Sequence, residues 1–255
     1  MKKRRIKFFV HTLALCALVL LACSKSGTSN PAPSPGDSTN PVSPYPEGIS
    51  TQKTDTKGGN VSDYLLYIPP GYNEKKNYRW PVVFFLHGVG EMGSDVNVLR
   101  EAGLMKVAAG KPFIIVAPQC RKGWWNPAVL EYLYKEVRNK YNVDTNRIYL
   151  TGMSMGGYGT WDWSSSFTGR FAAIVPICGG GSVSAMVRLK STPVWAFHSA
   201  NDSTVAVTET RALVQALKDL GGNVKYTEYP DGGHDAWTRT YANPDVYTWL
   251  LQQHF

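Results

Sequence analysis

The stretch RIYLTGMSMGG, residues 147–157, lies near the middle of the 255-residue chain. Its residues up to Thr151 have the apolar character of a buried strand, and a helical pattern follows Gly157. Between them, Ser154 stands in the pattern G-x-S-x-G. Where a strand turns sharply into a helix at this pattern, the small glycines let a strained serine project above the edge of the sheet. We therefore predict that Ser154 is a nucleophile; the alternative is a glycine-rich turn with an incidental serine.

Apolar segments of strand length recur on both sides of this stretch, with helical patterns between them. Continuous apolar runs are typical of strands buried on both faces of a parallel sheet. Such strands are predicted at residues 81–86, 113–117, 171–176 and 194–198, and residues 224–229 are a further strand candidate. An earlier strand within 62–69 is predicted to form a hairpin with the residues near Thr51, and 241–253 is predicted to be one final helix. The pattern predicts an α/β fold with a mostly parallel sheet of about eight strands and helices on both faces.

A serine hydroxyl is a weak nucleophile unless a base takes its proton. After residue 22 the chain offers His87, His198, His234 and His254. In folds of this kind the acid and the histidine follow the nucleophile along the chain, on loops after later strands. His87 precedes Ser154, His254 ends the last helix, and His198 ends a strand with no earlier loop left for an acid. His234 follows the last predicted strand in a glycine-rich turn, and we predict that it is the general base.

The carboxylate that orients this imidazole is expected between Ser154 and His234 in the chain. Asp202 follows the strand at 194–198, at the carboxyl edge where open α/β sheets place their sites. Asp231 is so close to His234 that turn formation is its expected role. We therefore predict that Asp202 is the acid; its alternative role is to cap the helix that follows.

The segment LHGVG, residues 86–90, ends the first buried strand. Gly88 permits a close approach of the backbone to a substrate carbonyl, so the backbone N–H of Val89 is a candidate donor to an oxyanion. The second candidate is the N–H of Met155, directly after the nucleophile. His87 itself is expected to be a structural hydrogen-bonding residue.

Six segments in order carry a family resemblance: PVVFFLHGVGEMGSD, FIIVAPQC, RIYLTGMSMGGYGTW, FAAIVPICGGG, PVWAFHSANDSTV and YPDGGHDAW. Together they resemble the α/β-hydrolase esterases grouped with polyhydroxybutyrate-depolymerase-like, feruloyl and acetylxylan esterases, and with predicted peptidases of the prolyl-oligopeptidase clan. The resemblance extends from about Tyr64 to the C-terminus. It implies the same triad, Ser154, Asp202 and His234, but no particular substrate, because members differ in their acyl pockets.

The resemblance also bears on Cys120 and Cys178. In the usual sheet order of that family, two strands lie between the strand that ends at Cys120 and the one before Cys178. At about 4.8 Å per strand, the two strand ends stand roughly 14 Å apart. A disulfide needs Cα atoms within about 7 Å, so two free thiols are expected.

Three tryptophans are candidate substrate-binding residues. Trp124 and Trp125 follow the carboxyl end of a strand, and Trp237 is three residues past His234. Such rings stack on a cinnamoyl group or a sugar ring. Ordinary packing is the alternative for each of them.

The first 48 residues are predicted to lie outside the catalytic domain. A basic start leads into an apolar run at residues 8–22, which has the layout of a secretory signal. The run ends in LLAC, which resembles the lipobox of bacterial lipoproteins, where Cys23 becomes the lipidated N-terminus; the alternative is an ordinary signal with a chance cysteine. Residues 24–48 read as a Ser/Pro-rich tether. We predict a signal peptide at 1–22, a lipid-anchored linker at 23–48 and a catalytic domain at 49–255, held in the cell envelope and facing the periplasm or the exterior.

The charge of the chain does not predict a nucleic-acid partner. Although 27 Lys and Arg face 19 Asp and Glu, five of the basic residues fall within residues 2–7, and no dense basic cluster remains elsewhere. The chain has no H-E-x-x-H, no C-x-x-C and no complete P-loop, so no metal or cofactor is predicted.

The predicted function is a serine carboxylesterase acting on feruloyl or acetyl esters of plant polysaccharide. The alternatives are a serine peptidase of prolyl-oligopeptidase type on short peptides and a non-catalytic polysaccharide-binding lipoprotein.

Overall fold

The computed structural model describes residues 45–54 and 59–255 of the chain. Within these ranges eight strands form a single sheet. They are β1 (Gly48–Gln52), β2 (Val61–Ile68), β3 (Trp80–Leu86), β4 (Ile114–Cys120), β5 (Val143–Met153), β6 (Ala173–Ile177), β7 (Val194–Ser199) and β8 (Val224–Tyr229). Their order across the sheet is β1-β2-β4-β3-β5-β6-β7-β8. β2 pairs antiparallel with both of its neighbours, and the remaining pairs are parallel. The predicted sheet and its edge hairpin are confirmed.

Helices cover both faces of this sheet. They are α1 (Gly103–Lys106), α2 (Pro127–Lys140), α3 (Met155–Ser166), α4 (Val207–Asp219), α5 (Ala236–Ala242) and α6 (Pro244–Gln252). On β3, Val82 and Phe84 face the core that includes α2, α3 and α4, whereas Val83 and Phe85 face the core that includes α1, α5 and α6. Because successive residues of a strand point to opposite faces, and both faces are covered, β3 is apolar throughout.

The predicted final helix at 241–253 is wrong in its extent. The structure has two helices there, with α5 ending at Ala242 and α6 beginning at Pro244. Proline has no N–H to donate and is well suited to the first turn of a helix. The side chain of Asn243 accepts a hydrogen bond from the N–H of Asp245 and so caps the new helix.

The two cysteines of the domain do not pair. Cys120 ends β4 and Cys178 follows β6, and β3 and β5 lie between these strands in the sheet. Both thiols are free and buried, which confirms the expectation.

The predicted signal peptide, the lipidation site Cys23 and most of the linker lie outside the described residues. In residues 45–54 and 59–255, no helix has both the length and the apolar composition needed to cross a membrane.

Candidate active site

Ser154 occupies a strained turn between β5 and α3. Its φ is 55°, in the left-handed region that residues other than glycine rarely adopt. Its backbone N–H donates a hydrogen bond to the carbonyl oxygen of Ile177, 3.0 Å away, which ties the turn to the end of β6. Backbone strain of this kind persists only where the surrounding structure enforces it, and it is common at reactive sites.

Two glycines allow α3 to approach the sheet closely enough to form this turn. A Cβ atom at Gly152 would lie 2.2 Å from the carbonyl oxygen of Gly156. A Cβ atom at Gly156 would lie 1.9 Å from the carbonyl oxygen of Leu86 at the end of β3. Because the obstructing atoms belong to the backbone, a larger residue at either position would displace α3 and the serine at its start.

The structure brings Ser154, His234 and Asp202 into one hydrogen-bonded series. Asp202 follows β7 and His234 follows β8, so their loops share the carboxyl edge of the sheet with Ser154. His234 Nδ1 lies 2.7 Å from Asp202 Oδ2, and His234 Nε2 lies 2.8 Å from Ser154 Oγ. A carboxylate only accepts hydrogen bonds, so Nδ1 carries the proton and Nε2 is left to accept from the serine hydroxyl.

Both oxygens of the Asp202 carboxylate accept hydrogen bonds. Its side chain is fully buried, and Oδ1 accepts hydrogen bonds from the N–H groups of Thr204 and Val205, each 2.9 Å away. Burial alone would raise the pKa of Asp202, but the hydrogen bonds from His234, Val205 and Thr204 outweigh it and hold that pKa below its ordinary value. The carboxylate is therefore ionised at neutral pH.

His198 is a second histidine on the same carboxylate. Its side chain is fully buried, and its Nε2 lies 3.2 Å from Asp202 Oδ2 and 3.0 Å from the carbonyl oxygen of Val205. Since neither of these oxygens can donate, Nε2 must carry a proton. Nδ1 lies 2.8 Å from the Thr210 hydroxyl. Burial lowers the pKa of His198, which favours the neutral form with its proton on Nε2.

From the sequence, His198 is only a possible base, and its contact with Asp202 is not predicted. The available signal was the spacing, because a histidine at the end of β7 stands four residues before the aspartate of the following loop.

The two backbone groups predicted to hold an oxyanion begin helical segments. Met155 is the first residue of α3, and Val89 is the first residue of a short 3-10 helix, Val89–Glu91. The first N–H groups of a helix have no acceptor within that helix. Gly88 allows the Val89–Glu91 segment to lie close to Ser154, since a Cβ atom at Gly88 would lie 3.5 Å from Ser154 Cβ. The N–H of Gly88 donates a hydrogen bond to the Glu91 carboxylate, 3.0 Å away, which stabilises the segment.

His87 is a structural residue, as expected. Its Nδ1 lies 2.6 Å from the carbonyl oxygen of Gly88, and its Nε2 accepts a hydrogen bond from the N–H of Cys120 at 2.9 Å. Burial lowers the pKa of His87 to about 4. The ring is therefore neutral at pH 7 and links the ends of β3 and β4.

The three candidate tryptophans have different surroundings. Trp124 is 61% exposed, and its ring meets that of Tyr158 edge-on at 5.7 Å. Trp125 is buried and donates its indole N–H to the carbonyl oxygen of His87. Trp237 packs edge-on against the ring of His234, with centroids 5.3 Å apart. Of the three, Trp124 has the most surface available to a ligand.

Cys178 lies beside the hydrogen-bonded series. Its φ of 39° is also in the left-handed region, and its sulfur lies within 4.8 Å of ligand atoms of Asp202 and His234. Burial raises the pKa of the Cys178 thiol to about 12. This thiol therefore stays protonated at neutral pH. Because a cysteine binds metal as the thiolate, Cys178 is poorly suited to be a metal ligand.

Known proteins resemble the part of the chain that holds this site. Residues 127–247, which include Ser154, Asp202 and His234, match the dienelactone hydrolase family. A solved thermostable esterase is 36% identical, with a TM-score of 0.70, over 81% of this chain and 63% of that one. The chain has the α/β-hydrolase fold. The solved ferulic acid esterase, 20% identical with a TM-score of 0.61 over 79% of this chain and 95% of its own, shares the α/β-hydrolase fold.

Several curated relatives of this chain carry esterase names. A bifunctional acetylxylan esterase/xylanase of Neocallimastix patriciarum is 26% identical over 66% of this chain. Feruloyl esterase D of Neurospora crassa is 24% identical over 80% of this chain and 73% of its own length. The chain spans only 26% of the length of the bifunctional enzyme.

Proposed function

We propose that this α/β-hydrolase is a serine carboxylesterase that works through an acyl-enzyme. The observation that carries the proposal is the series of hydrogen bonds from Ser154 Oγ through His234 to Asp202. The dienelactone hydrolase match and the esterase names of the relatives support the same class of reaction.

In the proposed mechanism, Ser154 Oγ attacks the ester carbonyl while His234 Nε2 takes its proton. The Asp202 carboxylate holds His234 in the required tautomer and stabilises the imidazolium as it forms. The N–H groups of Met155 and Val89 donate to the oxyanion of the tetrahedral intermediate. His234 then protonates the leaving alcohol, and a water molecule activated by the same histidine hydrolyses the acyl-enzyme. The reaction as written needs no cofactor.

The proposed substrates are feruloyl or acetyl esters on plant polysaccharide. Support comes from relatives named feruloyl esterase and acetylxylan esterase/xylanase. Trp124, Trp125 and Trp237 are the proposed substrate-binding residues, with the exposed ring of Trp124 available for stacking. We further propose that a lipid on Cys23 holds residues 49–255, the proposed catalytic domain, at the cell envelope.

The decisive variant is Ser154→Ala. We expect it to abolish ester hydrolysis with the fold intact, and a fluorophosphonate to label Ser154 in the wild type but not in the variant. Ser191→Ala, which changes an exposed serine between α3 and α4, is the matched control and should keep both activity and labelling. Activity of Ser154→Ala near that of the wild type would refute the proposal.

A substrate panel separates the proposed activity from its alternatives. The solved acylaminoacyl peptidase of Pyrococcus horikoshii shares the fold at 17% identity and a TM-score of 0.64, so a prolyl-peptide anilide belongs in the panel. We expect turnover of methyl ferulate or p-nitrophenyl acetate and none of the anilide. Preference for the anilide would favour a peptidase, and no turnover of any substrate would favour the non-catalytic alternative.

A further inference from the structure

A cavity of about 390 Å³ lies along α3, on the helix stripe that leads away from Ser154. Tyr158, Asp162 and Ser166 line it and follow Ser154 at successive intervals of four residues, so they share one face of the helix. At 1.5 Å per residue, they stand about 6, 12 and 18 Å from Ser154 along the helix axis. The first of these lining residues, Tyr158, therefore stands one helical turn beyond the proposed nucleophile.

The walls of this cavity combine one exposed ring with several polar side chains. Trp124 supplies the ring. Asp162 and Ser166 on α3, and Arg188 on the facing segment after β6, are exposed and line the same space. An aromatic face beside carboxylate, hydroxyl and guanidinium groups matches a sugar ring, whose C–H faces stack on aromatics and whose hydroxyl groups bond to polar side chains. The volume lies within the range of small-ligand sites.

The wall that the loop after β6 contributes to the cavity is closely packed. The loop after β6 approaches so closely that a Cβ atom at Gly180 would lie 2.7 Å from Tyr158 Cε1 and 2.6 Å from Glu209 Oε2. The backbone of Gly180 therefore packs directly against Tyr158, whose ring also meets that of Trp124 edge-on.

We propose that this cavity is a carbohydrate subsite that binds the sugar chain carrying the ester, rather than the acyl group. This inference rests on the proposed function. The reacting carbonyl must lie against Ser154 and the N–H groups of Met155 and Val89, whereas Tyr158, which lines the cavity, stands about 6 Å farther along the axis of α3. An acetyl group cannot span that distance, whereas the polysaccharide to which it is attached can.

The polar walls favour the same occupant. A planar aromatic acyl group in the cavity would remove Asp162 and Arg188 from water without offering enough hydrogen-bonding partners, which is costly. The hydroxyl groups of a sugar would instead replace the hydrogen bonds that Asp162 and Arg188 lose with water. The subsite would therefore favour esters carried on an oligosaccharide over simple alkyl or aryl esters.

The first test compares two esters. Values of kcat and KM are measured for wild type, Trp124→Ala and Asp162→Ala with p-nitrophenyl acetate and with an acetylated xylooligosaccharide. Both variants should lose at least about tenfold more in kcat/KM on the oligosaccharide ester than on p-nitrophenyl acetate, chiefly through KM. Tyr132→Ala is the matched control, because Tyr132 is an equally exposed aromatic on α2, 63% against 61% for Trp124, and does not line the cavity. Equal losses on both substrates, or no loss on either, would overturn the inference.

The second test needs no turnover, so it separates this inference from the proposed function. Unesterified xylo-, arabino- and manno-oligosaccharides are titrated into the full-length wild-type protein and Ser154→Ala, with calorimetry as the readout. We expect both to bind at least one of these sugars, and Trp124→Ala and Asp162→Ala to weaken that binding by about tenfold or more, while Tyr132→Ala does not. Binding without Ser154-dependent hydrolysis would refute the esterase and support the subsite. Absence of binding to all three sugars would overturn the subsite even if the esterase is active.

Discussion

Asp202 is the most heavily constrained ionisable residue of the site. Oδ2 faces both His234 and His198, and Oδ1 accepts from two backbone N–H groups. The two oxygens therefore have different tasks. The backbone contacts hold the carboxylate in position, and the shared oxygen orients the imidazole that faces Ser154.

Replacing Asp202 should be far more damaging than replacing its sequence neighbour Asp231. Loss of an orienting carboxylate costs about 10⁴ in kcat when the imidazole adopts the wrong tautomer, so Asp202→Asn should fall by orders of magnitude. Asp231 has a side chain that is 65% exposed and pairs with Arg239 at the surface. Surface pairs contribute little, so Asp231→Asn should lose less than about tenfold. Kinetic measurements on the two variants, with circular dichroism to check folding, test this assignment. A larger loss of kcat for Asp231→Asn than for Asp202→Asn would contradict it.

We expect His198 to act as a positioning residue through Asp202. His198→Ala removes one donor from Oδ2, but the N–H groups of Thr204 and Val205 still hold Oδ1. A hydrogen bond to a charged group contributes about 1.5 kcal/mol or more, so kcat should fall by about tenfold with little change in KM. The acid limb of the kcat/KM profile should move to higher pH, because a carboxylate that has lost a donor is protonated more readily.

His254→Ala is the control for this prediction, since His254 is an exposed histidine at the end of the chain. If His198→Ala is less stable but keeps the wild-type kcat and pH profile, the role of His198 is limited to packing.

Among the secondary-structure elements, α3 packs with its first turn directly against neighbouring backbone. Its first turn rests against the backbone of β3, β5 and the loop after β6, with glycines at each close approach. A clash at such a point cannot be relieved by rotating a side chain, so it must shift the helix that carries Ser154.

Gly156→Ala should therefore reduce both stability and activity. Its new Cβ atom would lie 1.9 Å from the carbonyl oxygen of Leu86, and we expect the free energy of unfolding to fall by at least about 3 kcal/mol. The control is Gly90→Ala, because a Cβ atom at Gly90 meets nothing within 4 Å and its φ is not in the left-handed region. That change should alter the free energy of unfolding by less than about 1 kcal/mol. Chemical denaturation measures the free energy of unfolding of both variants. Similar free energies for the two would contradict the packing explanation.

For the whole molecule, we predict attachment to the cell envelope through a lipid on Cys23. Residues 20–23 resemble a lipobox, but they lie outside the described residues. If Cys23 carries lipid, the wild-type protein should partition with membranes, and Cys23→Ala should not acquire lipid. Fractionation and mass spectrometry of the mature protein test this. An unmodified N-terminus at a residue other than Cys23 would contradict the anchor.

Much of this protein was predictable because the relevant signals are local. The alternation of apolar runs with helical patterns indicates a parallel sheet, and G-x-S-x-G between a strand and a helix marks the turn at Ser154. The order of nucleophile, acid and histidine then leaves Asp202 and His234 as the best candidates. The break between α5 and α6 was missed despite a local signal, Pro244 after a capping asparagine.

Other features depend on which strands lie side by side, and a single sequence does not specify that. Because β6 lies between β5 and β7 in the sheet, Cys178 comes to lie beside His234 and Asp202. The contact of His198 with Asp202 depends on how the loop after β7 folds back. The cavity along α3 needs Trp124 from the loop after β4 and Arg188 from the segment after β6. Local spacing in the sequence therefore predicted which groups are candidates for the reaction, while the tertiary structure decided their neighbours, because contacts between distant segments arise only when the sheet is assembled.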